Sequence, residues 1–106
     1  MTEKLAIWGA GGHGAVVADI VQLEGRYEIA GFLDDGEPGR AGGTYLGVPI
    51  LGGRNQLSRL TAQGIGHVLL AFGDNAARLR LGELVAEHGL RLAVAIHLAG
   101  DGSPLR

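Results

Sequence analysis

The chain has 106 residues and no cysteine, which excludes disulfide bonds and thiolate metal sites. A sequence without thiols fits a reducing compartment, and we expect a cytoplasmic protein. Aromatic residues make up 5% of the sequence and hydrophobic residues 46%, so the core must be mainly aliphatic. The length is close to that of an ordinary single domain and is sufficient for one core.

Long hydrophobic runs are also missing, since no apolar segment approaches the roughly 20 residues needed to cross a bilayer. The first four residues, Met-Thr-Glu-Lys, do not have the form of a signal peptide. The formal net charge is -2, so no excess of positive charge would attract nucleic acid or an anionic membrane. We therefore expect neither a nucleic-acid partner nor membrane association.

Glycine is abundant instead, at 20 residues of 106 against roughly 7% in average proteins. Apolar runs between the glycines predict strands at residues 5–8, 27–33, 45–51, 67–72 and 92–96. Pro49 cannot donate to a strand ladder, which favours an edge or irregular position for the third run. Helices are predicted from residue 12 or 13 to about 23, from 54 or 55 to 64, and from 75 to about 88.

Strands that alternate with helices indicate parallel pairing through right-handed crossovers. We expect an α/β fold, specifically a small Rossmann-like, three-layer arrangement around a parallel sheet of four or five strands. Residues 1–97 are predicted to form this domain, and residues 98–106 a polar C-terminal tail.

A glycine-rich loop directly follows the first predicted strand, in the order Gly9-Ala10-Gly11-Gly12-His13-Gly14. A helix that begins here would present unpaired N–H groups and a partial positive charge, which suit a phosphate or pyrophosphate. We predict ligand contact for five residues of the loop, namely Gly9, Gly11, Gly12, His13 and Gly14. The alternative is that the glycines merely permit close packing of the helix on the strand.

Two further polar segments follow predicted strands on the same edge of the sheet. Asp34 and Asp35 close the second strand, where an acid can accept hydrogen bonds from a ribose, a base or a sugar. Gly73, Asp74 and Asn75 follow the fourth run in the same way. The alternatives are solvated turn carboxylates in the first case and a helix N-cap in the second. Because adjacent side chains at a strand end point apart, no paired-carboxylate catalytic site is expected.

Catalytic and metal-binding sets are not evident in the sequence. The other histidines, His67, His88 and His97, have no metal-ligand spacing and are interpreted as structural or exposed. No Ser-His-Asp or Cys-His arrangement is present. We therefore predict no catalytic residue and no metal site, and favour binding without chemistry.

The motifs together resemble the N-terminal domain of bacterial sugar O- and N-acetyltransferases of the sialic acid NeuD and bacillosamine PglD type. The Gly-Gly-His-Gly loop, Phe-Leu-Asp-Asp and Gly-Asp-Asn carry the resemblance, with further matching residues at 47–52, and it covers residues 4 to about 97. In that family the domain is a small Rossmann-like unit that holds a nucleotide-linked amino sugar, such as a UDP sugar. The resemblance implies that the glycine loop and the Asp34-Asp35 region hold such a ligand here.

The resemblance also implies what lies outside this chain. In the family, a left-handed β-helix of hexapeptide repeats follows, forms the trimer, binds acetyl-coenzyme A and carries the catalytic histidine. His97 matches the junction before that domain, and no hexapeptide repeat follows it in the printed sequence. We expect no cofactor and no acetyltransferase activity in this chain alone. A homo-oligomer is possible, with a trimer only if a β-helix domain follows.

Two other functions remain open on the residues alone. The glycine loop with an acid about 20 residues later is also typical of an NAD(P)-binding module of an oxidoreductase. The chain is short for the two halves that hold a full dinucleotide. A non-catalytic interaction or regulatory domain with a vestigial site is the third possibility.

Overall fold

The structure is a computed structural model that describes residues 3–36, 39, 41–71 and 75–93. Its strands are β1 (Glu3–Trp8), β2 (Tyr27–Leu33), β3 (Thr44–Tyr45), β4 (Val48–Gly52), β5 (Ile65–Leu70) and β6 (Arg91–Leu92). Its helices are α1 (Gly12–Glu24), α2 (Leu57–Leu60) and α3 (Asn75–Glu87), with 3-10 segments at Arg54–Gln56 and Thr61–Gln63. No helix among these described residues is long and apolar enough to cross a membrane.

The six described strands form one sheet in the order β3-β4-β2-β1-β5-β6. All neighbours pair in parallel except β3 and β4, which are antiparallel. The predicted α/β class with a mainly parallel sheet is therefore confirmed. The strand number exceeds the expected four or five, because the segment predicted as one strand at residues 45–51 contributes a hairpin.

The hairpin turn explains this difference. Leu46 and Gly47 connect β3 to β4 with φ values of 57° and 76°. Two successive residues with positive φ form the kind of tight turn that matches the twist of paired strands. Leucine rarely adopts a positive φ, so the sequence does not predict a turn at Leu46.

Alternating side chains of the central strand divide the core into two layers. Leu5 and Ile7 pack on the side of α1, while Ala6 and Trp8 pack on the side of α2 and α3. Leu5, Ala6 and Ile7 are completely buried. Helices thus cover both faces of the sheet, and the expected three-layer arrangement is present.

The predicted helix at residues 54–64 is instead broken into α2 and its two flanking 3-10 segments. Its buried residues Leu57 and Leu60 are three positions apart, a spacing that a 3-10 helix also places on one face. The segment ends as predicted at Gly64, whose φ of 81° is left-handed.

Smaller differences occur at strand ends. β5 begins at Ile65, two residues earlier than expected. Gly66 interrupts the apolar pattern in the sequence, but the strand continues through it. The last described strand, β6, is short. The Ala93 N–H continues its pairing with β5 by donating a hydrogen bond of 2.8 Å to the Val68 carbonyl. The predicted residues 94–97, the domain boundary at 97 and the tail lie outside the described residues.

Candidate functional site

The carboxyl ends of three parallel strands meet at one edge of the sheet. Trp8, at the end of β1, pairs with Leu33 of β2 on one side and Leu70 of β5 on the other. The Gly9 N–H donates to the Leu33 carbonyl at 2.8 Å, and the Ala71 N–H to the Trp8 carbonyl at 3.0 Å. The glycine loop and the acidic pair therefore start from aligned strand ends, where open α/β sheets bind ligands.

Two loop glycines are required by packing. Gly9 has a φ of 128°, and a Cβ there would lie 2.9 Å from the Ala71 carbonyl oxygen. A Cβ at Gly14 would overlap the Gly9 carbonyl oxygen. The two glycines allow the first turn of α1 to pack against the end of β1, so close helix–strand packing accounts for both of them.

Gly11 differs from both of these glycines. Its φ of -135° is open to any residue, and a Cβ there would have no atom within 4 Å. It is the N-cap residue of α1 and offers no capping side chain to the first N–H groups. No internal contact requires a glycine at this position, although glycine is also a favoured N-cap residue, so the predicted ligand contact of Gly11 stays a prediction.

Gly12 and His13 occupy the first turn of α1, directly after Gly11. The His13 side chain lies outside the described part of the structure, so its predicted ligand contact stays a prediction. The first turn contains no acidic residue that would neutralise the positive end of the helix dipole. The start of α1 is thus electrostatically suited to an anion.

Tyr45 reaches this loop from the hairpin and was not among the predicted site residues. Its hydroxyl donates a hydrogen bond of 2.8 Å to the Gly11 carbonyl. Its ring meets the edge of Phe32, with centroids 5.1 Å apart and planes at 79°. The signal in the sequence is weak, since Tyr45 is a single aromatic residue in a segment rich in glycine.

Asp34 and Asp35 have different partners, as expected for neighbours at a strand end. Asp34 Oδ1 accepts the Gly36 N–H at 2.9 Å, a local turn contact. Asp35 Oδ1 accepts the Arg54 N–H at 2.7 Å, and Oδ2 lies 3.2 Å from Arg54 Nη2. Both carboxylates therefore have structural partners, and their predicted ligand contacts stay predictions.

Arg54 is a second residue that the sequence interpretation missed. Its guanidinium lies beside Asp35 with 60% of the side chain exposed, which places a positive charge next to the acidic pair. The preceding Gly53 permits this contact, because a Cβ there would lie 2.5 Å from Asp35 Oδ1. The sequence marks Arg54 only as the start of a helix.

The third predicted segment is described only in part. Gly73 and Asp74 lie outside the described residues, and α3 begins at Asn75, of whose side chain nothing is described. Their predicted roles stay predictions. In the described ranges, no three His, Cys, Asp or Glu side chains lie together as a metal site would require.

The histidines at strand and helix ends have structural contacts. His67 Nε2 lies 3.1 Å from Glu3 Oε1, and the imidazole packs on Tyr27 with ring centroids 5.0 Å apart. His88 Nδ1 lies 2.9 Å from the Leu84 carbonyl at the end of α3. His97 lies outside the described residues.

Comparison with known proteins assigns the chain to a family. The family model described as the PglD N-terminal domain matches residues 4–85. No curated protein sequence matches the chain.

Solved structures give the same result. A mutant of perosamine N-acetyltransferase from Caulobacter crescentus, in complex with CoA and GDP-perosamine, is 34% identical with a TM-score of 0.72. The alignment covers 85% of this chain and 40% of that one, so the chain spans less than half of this relative. The acetyltransferase domain of PglB from Neisseria gonorrhoeae is 36% identical, with a TM-score of 0.68 and coverage of 84% and 42%.

A further neighbour shows the fold alone. UDP-D-quinovosamine 4-dehydrogenase from Vibrio fischeri has a TM-score of 0.73 but only 21% identity, with coverage of 97% of this chain and 88% of that one.

We predict that Gly14→Ala destabilises the fold more than Gly11→Ala does. The Gly14 methyl overlaps a backbone oxygen, and we expect overpacking to cost about 1–3 kcal/mol despite the helix propensity of alanine. The Gly11 methyl meets no atom, so we expect only the cost of a poorer N-cap residue, about 0.5 kcal/mol. Urea unfolding followed by fluorescence of the single, buried Trp8 measures both. Equal losses of unfolding free energy in the two variants would contradict the different roles of Gly11 and Gly14.

We also predict that Asp35→Ala is more costly than Arg54→Ala. Both remove the exposed ion pair, which contributes about 0–1 kcal/mol. Only Asp35→Ala also removes the acceptor of the Arg54 N–H, a hydrogen bond that adds about 1 kcal/mol. The same unfolding measurement compares them, and an equal cost for the two variants would show that the ion pair dominates.

Proposed function

The chain belongs to the PglD N-terminal domain family, and from this premise we propose that it binds a nucleotide-linked amino sugar for a sugar acetyltransferase. The observation that carries the proposal is the geometry of Gly11, an open and uncapped glycine at the start of α1. The crystal structure of the perosamine N-acetyltransferase, which contains GDP-perosamine, supports the class of ligand.

The diphosphate of the ligand would bind at the start of α1. Unpaired N–H groups there donate to phosphate oxygens, and the helix dipole favours their negative charge. The absent side chain at Gly11 allows the phosphates to approach the backbone. Binding of this kind requires no catalytic side chain, which is consistent with a binding domain.

The nucleoside would lie beside the acidic pair. Asp34 and Asp35 follow β2 at the same edge, and carboxylates accept hydrogen bonds from ribose hydroxyls and base N–H groups. We propose that Asp34 and Asp35 contact the nucleoside through different groups, with Arg54 beside Asp35. His13, Asp74 and Asn75 are proposed as further contacts because they follow strands that the sequence predicts to end at this edge.

The nucleotide of the proposed ligand carries one of two bases. We propose uridine, as the sequence resemblance implies, and a guanosine nucleotide is the alternative because the 34% identical relative contains GDP-perosamine. Uracil presents one N–H donor to a carboxylate, whereas guanine presents two on one edge. Both nucleotides therefore belong in the test.

The acetyl transfer itself would take place outside these residues. The chain aligns with 40% of the perosamine N-acetyltransferase and 42% of the PglB domain. We propose that acetyl-coenzyme A binds in the part of such an enzyme that this chain does not match. The NAD(P)-binding alternative has only likenesses of fold in its favour, at 21% identity and below.

Isothermal titration with UDP-amino sugar, GDP-amino sugar and NAD tests the proposal. We expect one nucleotide sugar to bind at least about tenfold more tightly than NAD, which corresponds to about 1.4 kcal/mol. In Gly11→Val we expect that affinity to fall by at least about tenfold, because the new side chain fills the approach to the N–H groups.

Gly66→Val is the matched control, since a Cβ there also meets no atom within 4 Å but lies in β5 away from the edge. Gly66→Val should bind the nucleotide sugar with the affinity of the wild type. Tighter binding of NAD, or no binding of either nucleotide sugar, would overturn the proposal.

A further inference from the structure

The Gly11 carbonyl accepts two hydrogen bonds. The Ala15 N–H donates at 3.0 Å in the first turn of α1, and the Tyr45 hydroxyl donates at 2.8 Å. The first bond belongs to the ordinary helical pattern. The second comes from a residue 34 positions away in the hairpin, and the fold does not require it for any strand or helix.

We propose that Tyr45 is a positioning residue for the diphosphate of the ligand, an inference that rests on the proposed function. The carbonyl of Gly11 and the N–H of Gly12 belong to one planar trans peptide, so they point in opposite directions. The hydrogen bonds from Ala15 and Tyr45 keep the Gly11 carbonyl pointing along α1 toward its C-terminal end. The Gly12 N–H therefore points outward from the N-terminal end of the helix. That N–H is the first unpaired donor of α1.

The tyrosine also strengthens this donor. A hydrogen bond accepted by the carbonyl polarises the amide and makes its N–H a better donor to an anion. The effect acts through the backbone, so Tyr45 has no need to contact the ligand.

The hairpin holds the hydroxyl in place. Tyr45 pairs with Val48 across the tight turn, and its ring meets the edge of the fully buried Phe32. Phe32 in turn lies next to Gly14, since a Cβ at Gly14 would be 3.7 Å from its Cε1 atom. The hairpin, Phe32 and the glycine loop therefore form one packed unit, with Tyr45 as the polar contact between hairpin and loop.

Tyr45→Phe tests the proposal because it removes the hydroxyl and keeps the ring. Two-dimensional NMR titrations with UDP, GDP, uridine and guanosine measure affinity with and without phosphates. For the diphosphate that binds the wild-type chain, we expect about a five- to tenfold loss of affinity in the variant. The corresponding nucleoside should bind within about twofold of the wild type, since it contacts no loop N–H.

Tyr27→Phe is the control, as it changes the only other tyrosine in the sequence. Tyr27 lies at the start of β2, at the opposite end of the sheet from the loop. This variant should bind the diphosphate as the wild type does.

Unchanged diphosphate affinity in Tyr45→Phe would overturn the proposal. So would an equal loss for nucleoside and diphosphate, which would indicate a general structural role. Failure of the proposed function is a separate outcome, in which the wild-type chain binds neither diphosphate.

Discussion

The close approach of α1 to the end of β1 is the contact on which the candidate site depends. Gly14 lies against the Gly9 carbonyl with no room for a Cβ, and Gly9 lies against Ala71. This packing fixes the start of the helix at the edge where three strands end. A side chain at either position would displace the N–H groups that the proposed ligand uses.

Two hydrogen bonds connect neighbouring segments to that edge. The Tyr45 hydroxyl connects the hairpin to the glycine loop, and the Asp35 carboxylate connects the end of β2 to the 3-10 segment that begins at Arg54. Both join a side chain to a backbone group. The site is therefore built largely from positioned main-chain atoms, which suits binding of a diphosphate better than catalysis by side chains.

The sequence predicts those parts of the fold that depend on local pattern. The strand at the start of the chain and the helix after it follow from an apolar run and a glycine loop, and the structure confirms them. The different roles of Gly9, Gly11 and Gly14 depend on neighbours in space and are not distinguishable from the sequence. Tyr45 and Arg54 were missed because their partners are 34 and 19 residues away.

A crystal structure of this chain with a bound nucleotide sugar would show directly where the diphosphate binds. We expect phosphate oxygens at about 3 Å from N–H groups in the first turn of α1, with the Tyr45 hydroxyl still bonded to the Gly11 carbonyl. We also expect the nucleoside to lie beside Asp34 and Asp35. A nucleotide sugar bound elsewhere on the domain, with its phosphates away from the start of α1, would contradict the proposed site.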